Sequence, residues 1–147
     1  MWLFGQVIDA VMCPSVIGQI VLDHWRRIPQ IHPDIELDEY QLMPDHFHAI
    51  VRFTVTPARQ FRPVVHSDNE KADAAQCLLP HSLSTLVLSF QRSVTMAVRE
   101  MCGDTTCEVW QANYFDSIIR SDAHLHNTRA YILRNPQAWH EKWGNPT

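Results

Sequence analysis

The chain has 147 residues, of which 46% are apolar and 19% charged. That supplies one packed core and excludes a collagenous chain, a globally disordered one and a two-lobed enzyme. The formal charge of −4 lies in residues 1–80, with six basic and ten acidic residues, while 81–147 hold six of each; bulk charge therefore lends nothing to non-specific duplex binding.

The N-terminal run MWLFGQVIDAVM holds two apolar clusters but no basic stretch, so a signal peptide is not expected. No segment nears the roughly eighteen apolar residues of a membrane helix, and a cytoplasmic location is the expectation. Residues 15–28 place Val16, Ile20, Val21, Trp25 and Ile28 on one helical stripe, with Ser15 at its start and Pro29 and Pro33 as stops. In 35–42, Ile35 and Leu37 alternate with Glu36 and Asp38 before the pattern blurs. Met43-Pro44-Asp45 is a tight connection, and residues 46–53 form a second strand, pairing with the first as a hairpin. Phe47 and Ala49 are expected to face the core.

Residues 54–80 mix proline, charged and small residues and read as a long flexible loop, where Arg59, Phe61 and Arg62 are candidates to grip a strand. Leu83, Leu86, Val87, Phe90, Val94 and Val98 give the long helix of 82–100 a broad apolar face, ended by Gly103. Residues 108–119 look extended. The last helix covers 122–134, with Asp122 as its cap and Asn135-Pro136 as its end. Trp139 and Trp143 belong to a tail. The whole, residues 1–147, reads as one α+β domain with helices on an antiparallel sheet.

The four cysteines, Cys13, Cys77, Cys102 and Cys107, match no CxxC metal spacing and read as free thiols. The sharpest constellation is His46-Phe47-His48. On a strand, positions i and i+2 point to one face, so the two imidazoles can occupy neighbouring positions on one divalent ion. His124-Leu125-His126 has the same spelling on a helix, where i and i+2 diverge. Tyr131 and Asn135 are four apart and share a helical face. Each feature alone is better explained by ordinary packing or surface histidines.

Taken in chain order, ELDEYQLMPDHFHAIVRF, LSFQRSVT, VWQANYFDSIIR and YILRNP resemble the IS200-type transposases with a single catalytic tyrosine, and most closely their relatives associated with repetitive extragenic palindromes. The likeness spans about residues 4–138. It implies a ferredoxin-like antiparallel sheet of the HUH endonuclease class and single-stranded DNA folded into hairpins as substrate. It implies Mg²⁺ or Mn²⁺ held by His46, His48 and Asn135, with Tyr131 as nucleophile. Arg92, Trp110, Gln111 and Arg120 match segments expected to meet DNA. Family members begin with a further strand ahead of the LFG segment; that first strand is expected to be missing here, leaving strand edges open. Relatives act as monomers or as homodimers that exchange elements across subunits, and the sequence leaves both open.

The chemistry fits those residue types. A free tyrosine hydroxyl ionises only near pH 10, so a divalent ion that polarises the scissile phosphate is needed. Attack by tyrosine stores the broken bond as a 5′-phosphotyrosine, which a 3′-hydroxyl can later reseal. Two other readings stand beside this one: a catalytically inactive DNA-binding module on the same scaffold, and a metal hydrolase without covalent chemistry. The acidic run Asp34, Glu36, Asp38, Glu39 and Asp45, with no basic residue in 30–45, is unusual beside DNA.

Overall fold

The computed structural model describes residues 2–54, 82–112 and 114–147. The expected flexible loop, with Arg59, Phe61 and Arg62, lies outside the described residues apart from Thr54. The chain begins with strands β1 (Gly5–Ile8) and β2 (Val11–Pro14), followed by helices α1 (Val16–Arg26) and α2 (Ile28–Ile31). Strands β3 (Ile35–Leu42) and β4 (Phe47–Phe53) come next, then helices α3 (Leu83–Cys102) and α4 (Asp122–Trp143). The described strands form two antiparallel sheets of two, β1–β2 and β3–β4, with helices packed against them. This is a small α+β domain.

The β1–β2 hairpin turns on Asp9 and Ala10, both at positive φ (48° and 62°). Two positive φ values suit the right-handed twist of a two-residue hairpin turn. Nothing in Asp-Ala signals such a turn, because glycine or asparagine is its usual mark. Phe4 and Val7 from this hairpin are almost fully buried, and Phe4 N–H donates to the Pro44 carbonyl at 3.0 Å.

Helix α1 starts where expected. Ser15 Oγ accepts from Gly18 N–H at 3.0 Å and donates to the Leu3 carbonyl at 2.8 Å. Gly18 lets the helix approach the first hairpin, since a Cβ there would collide with the Phe4 carbonyl oxygen. Val21, Trp25 and Ile28 are buried, but Val16 is exposed and leaves the expected stripe. Pro29 does not end helical structure. It sits in the first turn of α2, where a proline's missing N–H costs nothing.

The β3–β4 hairpin forms as the alternation predicts, with one irregularity that explains the blurred pattern. Leu37 pairs with Val51 and Tyr40 with Ala49, so Asp38 and Glu39 together oppose Ile50. This bulge moves the core-facing positions from odd (Ile35, Leu37) to even (Tyr40, Leu42). Ile35, Leu42, Trp25, Phe90, Val94 and Val98 share one core, against which Phe47, Val51 and Phe53 pack. Ala49 is exposed, contrary to expectation. Ile50 points the other way and is still buried, because α4 covers that second face.

Helix α3 carries its apolar face as the spacing predicts, and Gly103 ends it in the left-handed conformation (φ 66°). Residues 108–119 enter no ladder among the described residues. Val109 is buried, but from Gln111 onward this stretch is almost wholly exposed. The described residues of this stretch, expected to be extended, therefore form an irregular connection.

Helix α4 departs most from expectation. Ser121, not Asp122, is its cap, accepting from His124 N–H at 3.1 Å. The helix runs through Pro136 to Trp143. A proline has no N–H for the carbonyl four residues back, here Ile132. The Asn135 amide donates to the Tyr131 carbonyl at 2.9 Å and to that of Ile132 at 3.5 Å, so the side chain offsets part of the gap. Among the described residues, no helix is long and apolar enough to cross a membrane.

Candidate active site

The β3–β4 turn places the histidines. Met43 N–H donates to the His46 carbonyl at 2.8 Å, closing a two-residue turn of Pro44 and Asp45. Met43 and Pro44 are almost wholly buried, so the turn is anchored. His46 lies one position before β4 and His48 within it, opposite Gln41. Their side chains share the face away from Phe47, as the strand period requires. The two Nε2 atoms stand 3.1 Å apart, with the rings 4.7 Å apart between centroids.

Asp45 supplies what sequence reading missed. Its carboxylate accepts a hydrogen bond from the His46 Nδ1–H in a 2.5 Å contact, the tautomer that puts the ring's lone pair on Nε2, facing His48 Nε2. A carboxylate behind an imidazole is the usual support for a metal-binding histidine. The spelling DHFH contains the signal, but the aspartate reads as a turn residue. His48 is half-buried, and loss of water around it, followed by repulsion from His46, holds its pKa below the ordinary histidine value. Its neutral form, with a lone pair, is the favoured one.

Helix α4 lies across this face. Arg129 holds Asp38 in the β3 bulge by two hydrogen bonds of 2.7 and 2.6 Å. That contact holds the Asp38 carboxyl below its ordinary range, helped by the Glu39 N–H. Two residues on, the Tyr131 ring meets His48 edge-on at 5.7 Å between centroids. Two turns further, Trp139 lies 6.2 Å from His46. Tyr131, Asn135 and Trp139 are spaced by four, so Asn135 falls between them on the helix face that meets the histidines. Tyr131 is 61% exposed, and its hydroxyl has no hydrogen-bond partner among the described residues. Tyrosine and histidines of one chain thus meet without a second copy.

The spacing of the two imidazoles fits a divalent ion. Two nitrogen ligands about 2.1 Å from one ion and at right angles stand about 3.0 Å apart; the 3.1 Å between the Nε2 atoms matches that. Asn135 is less committed. Its nitrogen is turned into its own helix, and its Oδ1 accepts no hydrogen bond among the described residues. Among the described residues there is no group of three or more His, Cys, Asp or Glu that could hold a metal. Two imidazoles and an amide would leave half of a six-coordinate shell to water and substrate.

The residues expected to meet DNA are dispersed. Trp110 is part of the packed interior: its ring lies 5.4 Å from Phe4 and 5.5 Å from Phe90, and its N–H donates to the Gln91 carbonyl at 3.1 Å. Arg92, Gln111 and Arg120 are exposed, on α3, in the irregular connection and just before the α4 cap, and make no contact with the histidines. The acidic run is largely accounted for: Asp38 binds Arg129, Glu36 binds Arg52 and Asp45 binds His46. Cys13, Cys102 and Cys107 are free thiols.

No protein-family model and no solved structure matches the chain. The chain is similar to an uncharacterized protein of Haemophilus influenzae, 28% identical over 144 residues, a span covering 95% of this chain and 75% of that protein.

Proposed function

We propose that the protein is a metal-dependent, single-tyrosine DNA strand transferase acting on single-stranded hairpin DNA, with the HUH-type site formed by His46, His48 and Tyr131. The observation that carries this is the meeting of three side chains from separate elements: two Nε2 atoms 3.1 Å apart and a tyrosine ring 5.7 Å from the second imidazole. The reading carries with it a ferredoxin-like arrangement, in which the histidine hairpin is backed by α1 and α3 and crossed by α4.

His46 and His48 would hold Mg²⁺ or Mn²⁺, with Asn135 Oδ1 as third ligand. A bound divalent ion supplies charge neutralisation at the non-bridging oxygens of the scissile phosphate. Asp45 orients His46 and favours the tautomer whose lone pair is on Nε2. Arg129, through Asp38, fixes the helix that carries Tyr131. The Tyr131 oxygen forms the bond to phosphorus as the bond to the 3′-oxygen breaks, and the phenolic proton ends on that oxygen. The product is a 5′-phosphotyrosine and a free 3′-hydroxyl.

The test is a denaturing gel of the protein incubated with labelled hairpin single-stranded DNA and Mn²⁺. A covalent adduct is expected, absent with EDTA and absent in Tyr131→Phe. No adduct with either metal, from folded protein, overturns the reading. One observation favours a non-catalytic DNA-binding module instead: the described residues lack a cluster of three strong metal-ligand side chains. That module would retain DNA in EDTA and after His46→Ala.

A further inference from the structure

An aromatic run leads away from the histidines, and catalysis as described above makes no use of its outer end. Trp139 lies 6.2 Å from His46. Trp2 meets Trp139 edge-on at 5.5 Å, and Trp143 lies 6.1 Å from it with the ring planes 41° apart. Three indole rings therefore connect the imidazole pair to the open surface. Contact with Trp2 alone would fasten α4 to the first hairpin. Trp143 adds nothing to that fastening: its one ring partner among the described residues is Trp139, and 57% of it faces water.

The run carries an unpaired cation at its outer end. Lys142 Nζ stands 4.9 Å from the Trp143 ring and pairs with no carboxylate among the described residues. The neighbouring carboxylates are engaged, Glu141 accepting from Gln137 at 2.9 Å and Asp45 from His46. An exposed indole with an ammonium that no carboxylate neutralises matches the two parts of a nucleotide, a flat base and a phosphate. A folded protein partner would call for a broader apolar area, and an anionic membrane for several cations, where among the described residues Lys142 is the one set against these rings.

We propose that Trp139 and Trp143, with Lys142, form a stacking site for unpaired bases of single-stranded nucleic acid, the nucleotides that flank the phosphate attacked by Tyr131. This rests on the strand-transferase reading only for where the strand goes next. Stacking itself needs neither a metal nor Tyr131, because every base has a π face that an indole can accept without sequence preference.

The experiment uses the full chain as Tyr131→Phe in EDTA, which removes catalysis and metal. Binding of a fluorescein-labelled oligothymidine is followed by anisotropy. An abasic oligomer of equal length and charge and a blunt duplex serve as comparisons. Saturable binding of oligothymidine is expected, weakened about 5- to 150-fold by Trp143→Ala, the range for loss of one stacked base. Trp143→Phe should restore most of it. The abasic oligomer should bind as weakly as Trp143→Ala binds oligothymidine, and the duplex no better. Unchanged affinity in Trp143→Ala, or equal affinity for the abasic oligomer, overturns the proposal. Trp143 is exposed at the end of α4, and an unchanged far-UV circular dichroism spectrum confirms that the variant folds. The two readings fail separately. Stacking without any adduct removes the transferase and leaves the platform, while an adduct with indifferent Trp143→Ala binding does the reverse.

Discussion

Arg129 on α4 grips Asp38 at the one irregular position of the histidine hairpin, through two hydrogen bonds of 2.7 and 2.6 Å. The bulge makes the contact available: two residues oppose Ile50, and Asp38, held by the Glu39 N–H at 2.7 Å, can face the helix. Helix α4 buries little, with Ile132 and Pro136 its buried residues. A few polar and aromatic contacts therefore decide where Tyr131 points.

The pH dependence of that contact follows from the Asp38 shift. The carboxyl lies below its ordinary value of 3.8, first because of the Arg129 hydrogen bond. A depressed carboxylate stabilises the fold above its unfolded pKa and loses that contribution as pH falls through the folded one. Wild type should therefore unfold at higher temperature than Asp38→Asn near neutral pH. The gap should stay constant down to about pH 4 and close in more acidic buffer. A gap that persists undiminished at pH 2 would show that the carboxylate charge is not what binds Arg129.

A second prediction concerns the first hairpin. Ala10 holds φ at 62° in its turn, a conformation that costs a residue with a Cβ about 1–2 kcal/mol and costs glycine little. Glycine gives back about 0.5–1 kcal/mol in unfolded-state entropy. Ala10→Gly should raise stability by about 0.5–1 kcal/mol, read as a higher urea midpoint at unchanged slope. The same turn is tied to the chain's end, Asp9 and Asn145 exchanging two hydrogen bonds of 2.9 Å, so the variant should also slow exchange of the last amides of α4.

What was readable in the sequence divides along the range of the interactions. Helices α1 and α3 and the histidine hairpin announce themselves, since Ser15, Ser82 and Gly103 cap locally and Val94 and Val98 repeat at helical spacing. The HxH pair needed only the strand period. The parity change at Asp38–Glu39 hid half of β3, because a bulge is set by the partner strand. The first hairpin was missed because Asp-Ala is not a turn spelling, and α4 was cut short because Pro136 looked like a stop. The contacts of Trp139 with His46 and Trp2 and the grip of Arg129 span about ninety residues or more of chain, and no local pattern encodes them.

Asp45 offers a direct test of the histidine geometry. Removing the carboxylate behind a metal-binding imidazole typically weakens metal affinity 10- to 100-fold. Asp45→Asn keeps the size of the turn residue but cannot hold the His46 Nδ1 proton as a carboxylate does. Titration with Mn²⁺, followed by the paramagnetic signal of the free ion, should show a loss of about that size. His46→Ala should abolish specific binding. Equal affinity in wild type and His46→Ala would remove the metal from this site.

Asn135 carries two duties that substitutions can separate. As a proposed ligand it offers Oδ1; as a helix residue it donates its nitrogen to the carbonyls of Tyr131 and Ile132. The second duty matters because Pro136 cannot serve Ile132. Asn135→Ala alone should destabilise by about 1 kcal/mol, the usual worth of such a hydrogen bond. Pro136→Ala restores an N–H at the position that Ile132 lacks, and in that background Asn135→Ala should cost clearly less. The coupling in this double-mutant cycle, by thermal unfolding, should be at least about 0.5 kcal/mol, as expected for residues sharing one partner. Mn²⁺ affinity should behave differently, falling with Asn135→Ala in both backgrounds and barely changing with Pro136→Ala alone. If stability is additive, the side chain is not filling the proline's gap. If affinity ignores Asn135 in both backgrounds, Asn135 is not a ligand and the histidines would hold the ion with water alone.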